Sequence, residues 1–214
     1  MQLDLIELMN SDKPVGPEYI MGGKLTGQKP ALKMKEIWAI RTRLEMEGDE
    51  RSLALFNLAI DSKLRGCDLV RIRVSDVAAG GEVKSRGAII QKKTGRPVHF
   101  EITKNTQKSV AQLITKSELD GEDYLFKSRI KASLHLSTRQ YSRFVRRWVA
   151  SIGLNPATYG THSLRRTKAA LIYRKTGNLR AVQLLLGHSK LESTVRYLGV
   201  EVDDALEISS SIDL

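Results

Sequence analysis

Six side chains stand out by type and place: Arg65, Lys93, His162, Arg165, His188 and Tyr197. Guanidinium, ammonium, imidazole and phenol are groups that bind an anionic oxygen, move protons around it or attack beside it. Taken singly, each has an ordinary structural reading. Arg65 follows an apolar run and suits the C-terminal cap of a helix. Lys93, in "KKTG", sits where a solvated hairpin-tip lysine belongs. His162 and Arg165 in "THSLRRT" are three apart, so a helix puts them on one face. His188 follows Gly187 at a helix boundary. Tyr197, beside leucine on a helix, suits a half-buried position with its hydroxyl paired. Order and context must decide between these readings and a shared chemistry.

The elements that would position the six are legible from spacing. Residues 11–30 hold Pro14, Gly16, Pro17, Gly22, Gly23, Gly27 and Pro30, a density that forbids long helices or strands, so residues 1–30 read as an irregular arm. Met34, Ile37, Trp38, Ile40 and Leu44 recur at helical spacing until Gly48 stops the run. "RSLALFNLAIDSKL" is a second, nearly all-apolar helix and should be buried. After a short turn, "DLVRIRVSDV" is amphipathic, with Leu69 and Ile72 inward. "GAIIQ" and "RPVHFEI", separated by "KKTG", predict a β-hairpin. "TQKSVAQLITKSEL" returns to helix, residues 127–150 read as a loop and then an amphipathic helix around Tyr141, Phe144, Val145 and Trp148, and further helices are expected near 161–175, 178–186, 191–198 and 203–209. The fold class is mainly α with a small antiparallel β-sheet.

Charge narrows the function. The 214 residues carry a formal net charge of +11. The last seventeen hold five acids (Glu201, Asp203, Asp204, Glu207 and Asp213) and no base, which leaves 35 basic against 19 acidic residues on the rest. Such a surplus on a chain that is 41% hydrophobic, and so able to form a core, points to a polyanion, most simply nucleic acid. The bases cluster: Lys127, Arg129, Lys131, Arg139, Arg143, Arg146 and Arg147 occur between 127 and 150 with no acid, as a loop and then a basic helix. Lys127, Arg129 and the four helical arginines are the candidate DNA-binding residues. No run of about eighteen apolar residues suggests a membrane span. One cysteine and four scattered histidines give neither a disulfide nor metal-ligand spacing, and "MQLDLIELMN" lacks a basic leader. A reducing cytoplasm and no cofactor are the expectation.

Taken together, Arg65 in "KLRGCDLVRIRVSDV", Lys93 in "KKTGRP", "THSLRRTKAA", "LLGHS" and "STVRYLG" resemble the tyrosine recombinase (phage integrase) family over roughly residues 31–200. That family shows an arginine after a buried helix, a hairpin lysine, a His-x-x-Arg helix, "LLGH" and a tyrosine nine residues on. The resemblance implies a catalytic domain over 31–200 that cleaves and rejoins double-stranded DNA through a 3′-phosphotyrosyl bond, without metal or ATP. Arg65 and Arg165 would clamp the non-bridging phosphate oxygens, and His188 would add a hydrogen bond. Tyr197 would be the nucleophile, His162 its base and Lys93 the acid for the leaving 5′ oxygen. Asp68 stands three residues after Arg65, where the family usually has glutamate, and is expected to support the active-site arginine.

The resemblance further implies a homo-oligomer, a tetramer on two DNA sites, with accessory DNA-bending proteins and a tail 201–214 exchanged between protomers. It places the chain in a bacterial or phage context. Residues 1–30 are shorter than the family's N-terminal DNA-clamping domain, so a catalytic-domain piece or a short recombinase is expected, like the invertases of fimbrial phase variation. Two other readings stand beside this one: a non-cleaving DNA-binding regulator on the same scaffold, and a topoisomerase with the same covalent chemistry.

Overall fold

The computed structural model describes residues 19–21, 24–26, 28–130, 133–198 and 210. One apolar helix organises it. Helix α2 (Glu50–Ser62) follows α1 (Met34–Met46), and every residue from Ser52 to Ser62 is buried. Gly48, at φ +63°, reverses the chain between them, and the Asp49 carboxylate caps α2 by accepting from the Ser52 amide at 3.0 Å. Ile37, Ile40 and Leu44 of α1 are buried as their spacing implied and Glu36 is buried beside them, while Trp38 of the same spacing is half exposed.

The segment read as amphipathic after α2 divides into two single-turn helices, α3 (Gly66–Leu69) and α4 (Val74–Val77). The break has a local cause: the Asp76 side chain accepts from the Arg73 amide at 2.8 Å and starts a new turn. Leu69 and Ile72 are fully buried, as their spacing implied.

The described strands form three two-stranded antiparallel sheets: β1 (Tyr19–Met21) with β2 (Lys24–Thr26), β3 (Ala78–Ala79) with β4 (Glu82–Val83), and β5 (Arg86–Ile90) with β6 (Pro97–Glu101). The last pair is the expected hairpin, its Ile90↔Pro97 register leaving Lys93 on the turn. Helix α5 (Lys104–Lys116) then packs on α2.

Helix α6 (Thr138–Ser151) drives Tyr141, Val145, Trp148 and Val149 into the main core, where the Trp148 ring meets Phe56 edge-on at 5.5 Å. Helices α7 (Thr161–Thr176), α8 (Leu179–Leu186) and α9 (Leu191–Leu198) close a smaller core of Ala169, Val182, Leu186 and Leu198. The helix expected near 203–209 lies outside the described residues.

Candidate active site

A buried charge network sets where Arg65 stands. Asp61 and Lys63 end the apolar helix α2, and Lys63 adopts a left-handed φ of +54° that turns the chain towards Arg65. The fully buried Lys63 ammonium donates to Glu101 Oε1 and Oε2 at 2.9 and 3.0 Å. Lys168 of α7 donates to Asp61 Oδ1 and reaches Glu101 Oε1, both at 2.7 Å. Asp61 Oδ2 accepts from the Thr103 amide, the Thr103 hydroxyl and the Thr106 hydroxyl at 2.8, 2.7 and 2.6 Å. Burial opposes ionisation of both carboxyls, but Lys168 with the Thr106 and Thr103 hydroxyls outweighs it at Asp61, and Lys63 with Lys168 outweighs it at Glu101, so both are held below their ordinary range. Two positive and two negative charges thus rivet the end of α2 to the hairpin and to the helix carrying His162 and Arg165.

The two guanidiniums share one support. Arg165 is 3% exposed, and its Nη2 donates to the Leu186 carbonyl at 2.8 Å. Arg65 Nη1 donates to Gln91 Oε1 at 2.5 Å. Gln91, itself buried, also accepts from the Thr94 hydroxyl at 2.9 Å and sends Nε2 to that same Leu186 carbonyl at 3.5 Å. Arg165 Nε and Nη1 are buried without a partner. Gly187 explains the glycine of "LLGH": its φ is +64°, and a Cβ there would lie 2.5 Å from Val98 Cγ2 of the hairpin.

Asp68, expected to support an arginine, accepts from the Lys92 amide at 2.9 Å and so ties the hairpin turn to α3, while its charge favours the charged form of the Arg165 guanidinium and its Oδ2 is buried without a hydrogen bond. Lys93 is exposed on that turn, and no hydrogen bond joins it to the other five residues among those described.

His188 and Tyr197 meet Arg165 from the other side. The His188 and Tyr197 rings pack edge-on at 5.5 Å, and the Arg165 and Arg166 guanidiniums lie 5.7 and 4.9 Å from the Tyr197 ring centre. His188 Nδ1 is 3.0 Å from Thr194 Oγ1, and its Nε2 is 3.4 Å from Arg165 Nη2. Burial, then the charges of Arg165 and Arg65, push the His188 pKa down to about 4. The same influences, with Arg166 added, lower that of His162.

The Tyr197 phenol is raised above its ordinary value, because desolvation outweighs the neighbouring arginines. Its hydroxyl donates to the main-chain carbonyl of His162 at 3.4 Å and interacts with the Arg165 guanidinium, so at His162 it meets the carbonyl and not the ring. Arg65, Arg165, His188, Tyr197 and the backbone of His162 are therefore brought together, while the His162 ring and Lys93 stay at the exposed rim.

The basic helix presents Arg139, Arg143, Arg146 and Arg147 on one exposed face, at the spacing read from the sequence. Arg129, Arg139, Arg143 and Arg147 surround a hollow of about 490 Å³ floored by Ile130, Leu136 and Phe144. Lys127 is drawn aside into an ion pair with Asp123 at 2.7 Å, and Arg147 reaches Asp49 at 3.4 Å.

The phage integrase family profile matches residues 31–203. The chain belongs to this family. It is 29% identical, over 82% of its length, to a probable integrase/recombinase, YoeC, of Bacillus subtilis (strain 168), covering 91% of that protein. It is 33% identical over 71% of its length to a tyrosine recombinase of Pseudothermotoga lettingae, of which it spans half. The crystal structure of XerA recombinase superposes with a TM-score of 0.70 at 20% identity, covering 87% of this chain and 66% of that one. The pre-cleavage complex of XerH recombinase with its difH substrate gives 0.69 at 22% identity, covering 91% and 57%. At these identities the two structures establish a shared integrase fold.

On that integrase fold, several side chains at the site escaped sequence reasoning. Arg51 joins the arginine-lined hollow. Gln91 and Thr194 are neutral residues with no spacing signal. Arg166, the second arginine of "LRRT", donates to the Lys29 carbonyl at 2.7 Å and to Gln28 Oε1. Asp61 and Lys63 did carry a signal: two charges inside an otherwise apolar run.

Proposed function

We propose that this integrase-family chain is the catalytic domain of a site-specific recombinase that cleaves and rejoins double-stranded DNA through a 3′-phosphotyrosyl intermediate. The observation that carries the reading is the convergence of Tyr197, His188 and Arg65 on Arg165, whose Nε and Nη1 are buried donors without acceptors. Buried donors are rarely left unpaired, and the non-bridging oxygens of a phosphodiester are matched acceptors for such a fork. The guanidiniums then neutralise charge that grows on those oxygens in the transition state, the work metal ions do in other phosphoryl transfers. The Tyr197 oxygen forms the bond to phosphorus, and the bond from phosphorus to the 5′ oxygen breaks. Lys93 protonates that 5′ oxygen, and the phenolic proton passes to His162, whose lowered pKa keeps its ring neutral and able to accept. The phosphotyrosyl bond keeps the phosphodiester energy, so rejoining needs no ATP.

DNA would lie along the α6 arginines. The working assembly would be a tetramer of this chain, of bacterial or phage origin, on two DNA sites, helped by DNA-bending proteins and associated with the bacterial nucleoid when bound to DNA. Among the described residues no helix is long and apolar enough to cross a membrane. The test is incubation with a pool of nicked duplexes of random sequence around the nick. A covalent protein–DNA band that is lost in Tyr197→Phe supports the reading. Tight DNA binding with no band from the unaltered protein leaves the non-cleaving regulator instead.

A further inference from the structure

The hydrogen bonds around His188 define its tautomer, and that tautomer is the wrong one for the task proposed above. A guanidinium only donates, so the Arg165 Nη2 facing His188 Nε2 at 3.4 Å requires a lone pair on Nε2. The single proton of the neutral ring is then on Nδ1, directed at Thr194 Oγ1 at 3.0 Å. A phosphate oxygen only accepts, so a bond from His188 to that oxygen needs the proton on Nε2. Charging the ring fully would supply it, but burial and two arginines oppose this at neutral pH. The remaining route moves the proton from one nitrogen to the other, and the partner of Nδ1 must then change from acceptor to donor.

A carbonyl or carboxylate in that position would lock the Nδ1–H form. A hydroxyl does not, because it can do either by rotating. Thr194 is fully buried on α9, three residues before Tyr197 and hence on the same side of the helix. Its bond to His188 therefore also docks the helix that carries the phenol.

We propose that Thr194 is a positioning residue that switches His188 between tautomers, Nδ1–H in the free protein and Nε2–H when a phosphodiester occupies the site. In the free protein the Thr194 oxygen accepts from Nδ1. On DNA binding, Arg165 engages the phosphate through Nε and Nη1 and its Nη2 moves off His188, Nε2 takes the proton and donates to a non-bridging oxygen, and the Thr194 hydroxyl donates to Nδ1. No net proton is gained or lost. The inference rests on the recombinase reading and adds to it the residue that makes a neutral histidine usable as a donor.

The experiment has two readouts. In the ¹⁵N spectrum of imidazole-labelled protein, with His188 assigned by its absence in His188→Asn, the free Tyr197→Phe protein should show Nδ1–H. Its complex with a duplex recovered from the covalent capture should show Nε2–H. In single-turnover adduct formation, Thr194→Val should slow the step by about 10- to 100-fold, less than the loss of an oxyanion donor outright, while DNA affinity holds. Thr194→Ser, which keeps the hydroxyl, should restore the rate to within about threefold. The same tautomer with and without DNA, a doubly protonated ring in the complex, or a Val variant as fast as the unaltered protein would each overturn the proposal. A Ser variant as slow as the Val variant would also overturn it, by assigning Thr194 to packing. Absence of any adduct from the unaltered protein would instead remove the recombinase reading on which it stands.

Discussion

Tyr197 and His188 respond to different experiments, because one loses an atom that reacts and the other a proton equilibrium. Tyr197→Phe should abolish the covalent DNA adduct while duplex affinity, which comes from the basic surface, stays within about twofold. Its hydroxyl makes a long 3.4 Å bond to the His162 carbonyl and interacts with the Arg165 guanidinium, so the melting midpoint should change by the equivalent of about 1 kcal/mol. His188 has a folded pKa of about 4 against an ordinary 6.5. Between those values the unfolded chain binds the proton that the folded chain refuses, so stability should rise with pH through this interval and level off above it. His162 is shifted the same way and adds to the slope. Urea unfolding at several pH values between about 4.5 and 7.5 checks this, and His188→Asn should make the slope shallower. An unchanged slope would place the ring in water in the folded protein.

Elements set the site through interactions at their ends. The Asp61–Lys63–Glu101–Lys168 network joins α2, β6 and α7, and removing one member strands buried charge. Asp61→Ala should cost about 3–5 kcal/mol in chemical denaturation, far more than an exposed ion pair such as Arg43–Glu47. Gly187→Ala should cost about 1–3 kcal/mol or more, from left-handed strain together with a Cβ pressed on Val98. Helix α6 predicts a DNA phenotype instead. The Arg139→Gln/Arg143→Gln pair should weaken binding and flatten the dependence of log affinity on log salt by about 0.9 for each phosphate no longer neutralised. Fluorescence anisotropy over a salt series measures it, and an unchanged slope would make that face merely solvated.

At the scale of the whole molecule, charge is spread unevenly along the chain. The acidic residues of 201–214 contrast with the basic body that precedes them. Leu191, 41% exposed on α9, lines a hollow with Leu179, Arg180, Lys190 and Glu192, where the apolar residues of a second protomer's tail could rest. Deleting 201–214 retains Tyr197, so binding to one DNA site should persist. Assembly of two sites into one complex should fall several-fold in a native gel. An equal yield of the two-site complex from the shortened protein would show the tail to be dispensable.

The positions of the longer helices, the hairpin and the order of the six candidate residues were determined by the sequence alone, because each depends on neighbours within a turn or two. The apolar spacing of Ile37, Ile40 and Leu44, the "KKTG" turn and the arginine face of α6 are local facts of this kind. Tertiary structure alone decided what those residues touch. Asp61 meets Lys168 across 107 positions and Gln91 meets Leu186 across 95. The bond from Lys92 gave the Asp68 carboxylate a hairpin to hold as well as a charge beside Arg165, and Tyr197 came to the His162 carbonyl rather than its ring. A hydrogen bond or buried ion pair requires atoms within about 3 Å and the right donor facing the right acceptor. Periodicity tells which face of an element is buried, but that precision comes only from how the elements pack.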